Sequence, residues 1–78
     1  LFILHPNLVK DEIQISFHNQ FLNQNKTITL YDLQGRIIKT YQTDQLLLPL
    51  NLSYLSKGYY FIRIICQSKT KTFKIIKI

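Results

Sequence analysis

Residues 52–66 decide the fold, and they read Leu-Ser-Tyr-Leu-Ser-Lys-Gly-Tyr-Tyr-Phe-Ile-Arg-Ile-Ile-Cys. Leu55 and Gly58 precede Tyr60 at the spacing of a tyrosine corner, in which a Tyr hydroxyl near the start of a strand bonds back to the preceding loop backbone. From Tyr60 onward, apolar residues recur at every second position, which is the period of a half-buried strand. We expect this strand to direct one set of side chains inward, namely Tyr60, Ile62, Ile64 and Cys66, and another set outward, namely Tyr59, Phe61 and Arg63. The corner and the strand together predict a sandwich of two β-sheets.

Further strand-like segments lie on both sides of this stretch. Gly35 favours a β-hairpin turn because glycine adopts a positive φ at low cost, and Pro49 confines its strand to a sheet edge or a bulge. Residues 19–25 are mostly polar and predict a loop. Turn signals recur about every 8 to 12 residues, so we expect an all-β sandwich of about seven antiparallel strands, at residues 1–5, 12–17, 26–33, 36–41, 46–52, 59–66 and 70–78.

The composition supports one small β-domain. The chain has 78 residues, is 46% apolar and contains no Met, and its β-branched and aromatic residues are plentiful. Such a chain can fill one layered core and is too short for a second domain, so we expect residues 1–78 to be a single domain. It begins at Leu1 without an initiator Met or a signal-peptide pattern, and we expect a fragment of a longer chain. Its apolar runs are far shorter than the roughly 20 residues of a spanning helix, so we expect no transmembrane segment.

The net charge of +6 suits several kinds of acidic partner. Nucleic acid, anionic lipid and acidic glycan would each attract a basic protein. A composition rich in Lys and Ile and lacking Ala is also typical of proteins from AT-rich genomes, so the charge alone does not select a partner. Because the lysines accompany no nucleic-acid-binding motif, we expect no nucleic-acid partner and rank that function last.

Residues suited to catalysis or metal binding are few and scattered. The two glycines, Gly35 and Gly58, are too far apart to form a phosphate-binding loop. His5 and His18 lie on different predicted elements and lack metal-ligand spacing. Cys66 falls on the inward face of an apolar strand, where a buried structural thiol is expected. We therefore expect no enzymatic activity, no metal and no cofactor.

Outward aromatic residues are one candidate binding feature. They are Tyr31, Tyr41, Tyr59 and Phe61. Aromatic rings on a sheet can stack on sugars or bases. Scattered aromatic residues are also ordinary on the surfaces of strands that bind nothing. This pattern leaves a polysaccharide-binding module as an open alternative.

The lysine-rich last strand is the other candidate feature, with Lys69, Lys71, Lys74 and Lys77 among its residues. Lysines on an edge strand protect it against aggregation and need no further function. An extended strand of this kind can also dock by strand addition to another sheet. Phe73 and Ile75 share one face while Ile76 and Ile78 share the other, so either both faces are covered or a bulge switches the alternation near Ile75 and Ile76.

Several of these segments, in this order and at these intervals, resemble the type A C-terminal sorting domain of the type IX (Por) secretion system. The matching residues are His5-Pro6-Asn7, Val9-Lys10-Asp11, Glu12–Phe17, Ile28-Thr29-Leu30-Tyr31-Asp32, Gly35, Arg36, Leu50-Asn51-Leu52-Ser53, Leu55, Gly58, Tyr60 and Lys74-Ile75-Ile76-Lys77. The resemblance covers nearly the whole chain. It departs at Leu8, where the family usually has the second proline of a Pro-Asn-Pro sequence.

The resemblance implies an immunoglobulin-like sandwich at the C-terminal end of a larger cargo protein from a Bacteroidota-type bacterium. Such a domain is non-catalytic and directs its cargo from the periplasm through the outer-membrane type IX translocon. A surface sortase then commonly removes the domain and can join the cargo to anionic lipopolysaccharide. The cargo would be secreted or held at the cell surface.

The resemblance also suggests roles for individual residues. We expect the last strand to contact the translocon, with Lys74 and Lys77 carrying recognition. The full set of candidate sorting residues is Lys71, Lys74, Ile75, Ile76, Lys77 and Ile78, and the residues expected to hold turns or the fold are Pro6, Asn7, Gly35, Leu55, Gly58 and Tyr60.

Overall fold

The computed structural model describes residues 2–5 and 7–78, which form eight β-strands and one turn of 3-10 helix. The strands are β1 (Phe2–His5), β2 (Leu8–Val9), β3 (Glu12–Phe17), β4 (Lys26–Asp32), β5 (Ile37–Thr43), β6 (Leu47–Asn51), β7 (Gly58–Cys66) and β8 (Lys69–Lys77). The short helix, Asn19–Phe21, lies between β3 and β4. Within this described part of the chain, no helix is long and apolar enough to cross a membrane.

The strands form two sheets, with the orders β1-β3-β6 and β2-β8-β7-β4-β5. Pairs among the longer strands are antiparallel, whereas the two-residue β2 pairs parallel to β8. These orders match strands A-B-E and G-F-C-C′ of immunoglobulin domains, with β2 added beside the last strand. The predicted immunoglobulin-like sandwich is therefore confirmed. The added β2 was not predicted because two residues are too few to show an alternating pattern.

The core lies between the two sheets and follows the alternation of the sequence. Phe2 packs against Phe17 at 5.6 Å and against Phe21 at 5.0 Å between ring centroids. Each fully buried Ile or Leu side chain contributes about 1.5–3 kcal/mol relative to an exposed one. The buried cluster is Phe2, Val9, Ile13, Ile15, Phe17, Phe21, Ile28, Leu30, Leu50, Leu52, Tyr60, Ile62, Ile64, Cys66 and Ile75.

The segment predicted as a loop at residues 19–25 contains the 3-10 turn. The Nδ1 atom of His18 accepts a hydrogen bond from the backbone N–H of Gln20 at 3.2 Å and caps this turn. The turn directs Phe21 into the core, where its side chain is buried. One apolar residue in a polar segment has no periodicity, so its burial could not be predicted from the pattern.

The sheet edges carry features that limit pairing with another strand. Among the strands that the structure describes, β6 pairs only with β3, so Pro49 lies on a sheet edge, as predicted. β5 forms an edge of the larger sheet, and its extra residue Ile38 shifts the register between Leu30 and Tyr31 of β4. Because a proline and a bulge both disrupt a regular ladder, these two edges are poor templates for aggregation.

Lys26 is fully buried, which the sequence pattern did not reveal. Its Nζ atom donates hydrogen bonds to the carbonyl oxygens of Asp44 at 3.0 Å and Gln45 at 2.9 Å. The same atom lies 5.0 Å from the centroid of the Phe17 ring. These partners replace water around the ammonium group and so offset the cost of burying it. Asp44 and Gln45 belong to the connection between β5 and β6, which passes from one sheet to the other. Lys26 therefore stabilises this connection.

Candidate recognition surface

The turn before β7 contains the hydrogen bond of a tyrosine corner. The hydroxyl of Tyr60, a residue only 9% exposed, donates to the carbonyl oxygen of Ser56 at 2.8 Å. Leu55 packs against the core, and its N–H donates to the carbonyl oxygen of Leu52 at 3.0 Å. Gly58 has a φ of 144°, a value that residues with a Cβ rarely adopt. Together these residues fix the point at which β7 enters the sheet.

The β4–β5 hairpin is held by the Asp32 carboxylate. Its oxygens accept hydrogen bonds from the backbone N–H groups of Gln34 and Arg36 at 3.0 and 2.9 Å and from the Arg36 Nε at 2.7 Å. The Arg36 N–H, followed by its guanidinium group, holds the pKa of Asp32 below its ordinary value of 3.8. Gly35 has a φ of 85°, so the glycine predicted for this turn occupies a left-handed position.

The segment that contains β2 holds the end of β8 through two backbone hydrogen bonds. The N–H of Ile76 donates to the carbonyl oxygen of Asn7 at 2.9 Å, and the N–H of Ile78 donates to that of Val9 at 2.8 Å. The predicted turn residue Asn7 therefore contacts the strand predicted to carry recognition. Pro6, also predicted to hold this turn, lies outside the described residues.

The six residues predicted to carry sorting do not share one environment. The register between β8 and β7 is continuous, so the bulge predicted as one alternative is absent. Lys74 is exposed on the outer face, whereas Lys77 is only 8% exposed and its Nζ donates to the carbonyl oxygen of Ile78 at 3.2 Å. Among the others, Lys71 is exposed, Ile75 is fully buried, Ile76 is half-buried and Ile78 is 49% exposed.

Most of β8 has one edge with which none of the described strands pairs. β2 covers it only at Ile76 and Lys77. The N–H groups of Ile76 and Ile78 point toward β2. Because backbone groups alternate in direction along a strand, those of Thr70, Thr72 and Lys74 point the same way. Within the described residues no strand lies beside them, so these three amides form an open edge suited to strand addition.

Three of the four predicted outward aromatic residues gather on the outer face of the five-stranded sheet. Tyr31 lies directly opposite Phe61, and Tyr59 lies opposite Ile76. Tyr59 is 46% exposed, and the other two aromatic residues are half-buried. Tyr41 instead packs against the core, where burial, together with the nearby Tyr54 hydroxyl, raises its pKa.

Cations lie over several aromatic rings of this sheet. The Nζ of Lys74 is 4.4 Å from the centroid of the Tyr59 ring, and that of Lys39 is 5.1 Å from the Tyr41 ring. Each is within the range of a cation–π interaction. A covered ring face is not free to stack on a sugar, which weakens the polysaccharide-binding alternative at Tyr59.

The residues considered for catalysis do not come together. Among the side chains that the structure describes, no group of three or more His, Cys, Asp or Glu residues could hold a metal ion. Cys66 is a buried free thiol whose Sγ lies 3.6 Å from the Gln24 side-chain oxygen. His18 caps the 3-10 turn, and the side chain of His5 lies outside the described part.

Comparison with known families agrees with the fold and with the order of the motifs. A family model described as the secretion system C-terminal sorting domain matches residues 3–78. No curated protein matches the chain. A sorting domain of this kind acts as a C-terminal signal on a cargo protein, interacts with the type IX machinery and directs export to the medium or the cell surface. Because the match spans almost the whole sequence, this chain belongs to the family of type IX secretion C-terminal sorting domains.

Proposed function

We propose that this domain is a non-catalytic sorting signal at the C-terminal end of a larger protein. The cargo reaches the periplasm by a separate N-terminal signal, and the domain then directs it through the outer-membrane type IX translocon. A surface sortase removes the domain afterwards and joins the cargo to the cell surface or releases it. The family match over residues 3–78 supports this proposal.

The open edge of β8 is the observation that carries the recognition step. Its amides at Thr70, Thr72 and Lys74, beside which no described strand lies, allow a translocon strand to extend the sheet, and main-chain hydrogen bonds give such a contact its affinity. We assign the exposed Lys71 and Lys74 to direct contact. Of the other predicted sorting residues, Ile75 and Lys77 are buried on the inner face of β8. Ile76 and Ile78 donate backbone hydrogen bonds to the segment that contains β2.

The experiment that tests this function is an export assay. Residues 1–78 are fused behind a signal peptide and a fluorescent reporter and expressed in bacteria with and without a working type IX translocon. We expect the reporter outside the cell only in the strain with the translocon, and shortened by removal of the domain. Retention in the periplasm of both strains, with the domain folded, would refute a sorting function.

A polysaccharide-binding accessory module is the second candidate. The gathering of Tyr31, Tyr59 and Phe61 on one face favours it, because sugars stack on aromatic rings. It predicts that the isolated domain co-sediments with insoluble polysaccharide and that replacing these aromatic residues abolishes the binding. It also predicts no dependence of reporter location on the translocon.

A further inference from the structure

The outer face of the five-stranded sheet carries a continuous apolar surface at one end. We call it the aromatic face, and it consists of Leu8, Tyr31, Ile37, Tyr59, Phe61 and Ile76. One row runs through Leu8, Ile76 and Tyr59, and the next through Phe61, Tyr31 and Ile37, since directly paired residues share a face. Leu8 is 52% exposed, Ile37 63% and Tyr59 46%. Neighbouring exposed apolar residues of this kind indicate an interaction site.

The opposite outer face of the molecule is different. On the three-stranded sheet, Glu12 lies opposite Asn51, Gln14 opposite Pro49, and Ser16 opposite Leu47. Most of these side chains are polar, and Leu47 is the one large exposed apolar residue among them. Among the described residues of the two outer sheet faces, more apolar side chains therefore lie on the five-stranded sheet, next to the open edge of β8.

The charged side chains that the described strands direct to the outer face of this sheet are both positive. Arg63 and Lys74 are exposed on the same outer face, and Lys74 lies over the Tyr59 ring. The four acidic side chains of the chain, Asp11, Glu12, Asp32 and Asp44, lie in turns, at the end of β4 or on the other sheet. Complementary charges steer and orient protein association. A partner for this face should therefore have an apolar centre rimmed by carboxylates.

A second copy of the chain does not meet this requirement. Each copy carries a net charge of +6, and packing two aromatic faces together would oppose like charges. Each row of the aromatic face spans three strands about 4.8 Å apart, and side chains on one face of a strand repeat about every 6.8 Å, which gives the six residues an area of roughly 200 Å². Each partner of a stable complex buries roughly 800 Å². The aromatic face alone is therefore too small for a stable dimer, and it needs the adjoining β8 edge to make a larger interface.

Lys74 connects the two surfaces. Its amide points to the open edge of β8, while its side chain lies on the aromatic face over Tyr59. We propose, on the basis of the sorting function above, that the β8 edge and the aromatic face form one interface for the same translocon protein. This partner adds a strand to β8 and packs an apolar patch, rimmed by acidic side chains, on the aromatic face.

The test uses two variants of the export fusion. The first, Ile37→Thr with Tyr59→Thr, removes exposed apolar area and places at both positions a β-branched residue, which favours strands. Its matched control, Leu22→Thr with Leu47→Thr, removes similarly exposed residues elsewhere. The second, Arg63→Glu, places an acid on the face, and Lys39→Glu, opposite the inward Leu30 on the other face of the sheet, is its control with the same change in net charge. Melting curves of the purified domains establish that each variant is folded.

We expect both face variants to lower the exported fraction about tenfold, as for loss of central interface contacts, while both controls retain wild-type export.

If folded face variants are exported normally while the wild type still depends on the translocon, the aromatic face is not part of the interface and the sorting function stands. If the wild type itself shows no such dependence, both proposals fail. If the Thr variant does not fold, Arg63→Glu decides. Dimers of the purified domain, or polysaccharide binding, that require Tyr59 would also overturn the proposal.

Discussion

At the residue scale, the Tyr60 hydroxyl is the clearest single contribution to stability. It is part of a buried side chain and donates to Ser56 at 2.8 Å. Replacing Tyr60 with Phe keeps the ring and removes only this bond, so we expect a loss of about 1 kcal/mol in the free energy of unfolding. Urea denaturation measures this as a lower midpoint with an unchanged slope. Tyr59→Phe, on an exposed ring, is the control and should leave the midpoint in place. An unchanged midpoint for Tyr60→Phe would remove the tyrosine-corner role.

Lys26 makes the second residue-scale prediction. Lys26→Met retains the length of the side chain and removes the ammonium group that binds the carbonyl oxygens of Asp44 and Gln45. We expect about 1–3 kcal/mol of destabilisation, because buried polar groups lose a charged hydrogen-bond donor. Hydrogen exchange should also quicken at the N–H of Asn23, which donates to the Asp44 carbonyl.

The control for this change is Lys39→Met on the neighbouring strand, where the lysine is exposed. It should alter stability by no more than about 0.5 kcal/mol. A Lys26→Met variant as stable as the wild type would show that the crossover between the sheets does not depend on the ammonium group.

At the element scale, neighbouring residues of β8 differ in whether their backbone N–H groups point toward β7 or toward the open edge. The amide of Thr72 points away from β7, whereas the amide of Lys71 points toward it, since backbone groups alternate. Proline is tolerated in a strand where its missing N–H would face solvent. We therefore expect Thr72→Pro to fold and Lys71→Pro to lose at least about 3 kcal/mol of stability.

The same substitution tests strand addition. Thr72→Pro removes one of the free amides and places a ring on the edge, so it should block export of the reporter fusion. Thr72→Ala, which keeps the amide, should be exported as the wild type is. Normal export of a folded Thr72→Pro variant would contradict recognition through the β8 edge.

The elements also show what could be predicted from the sequence. Alternation predicted β3, β4 and β7 because their buried residues occupy every second position. It did not predict that Lys26 continues the inward set of β4, because the groups that bind its ammonium come from the distant β5–β6 connection. Similarly, the inward direction of Lys77 follows from its pairing with Gly58 and Val9, which a single strand does not reveal. The alternation within single strands thus predicted the sheets. The inward directions of Lys26 and Lys77 depend instead on contacts between residues that are distant in the sequence.

At the scale of the whole molecule, the two sheets close over a core that ends at Cys66. Its thiol is fully buried at the end of β7, beside the β7–β8 turn. A thiol reagent can reach it only when the domain opens. The rate at which Cys66 reacts gives the free energy of the opening that exposes it. Because core groups of a cooperative domain become exposed only on global unfolding, we expect this value to equal the free energy of unfolding measured in urea.

The control adds Ser68→Cys, in the exposed β7–β8 turn, which should react at once while Cys66 stays protected. The comparison separates two kinds of opening. If Cys66 reacts with an opening free energy well below that of global unfolding, the β7–β8 hairpin opens on its own, and the edge proposed for translocon binding would be mobile rather than preformed. Equal values mean that β8 keeps its position in the sheet until the whole sandwich unfolds. In that case the translocon meets an ordered strand edge, and strand addition incurs little ordering entropy.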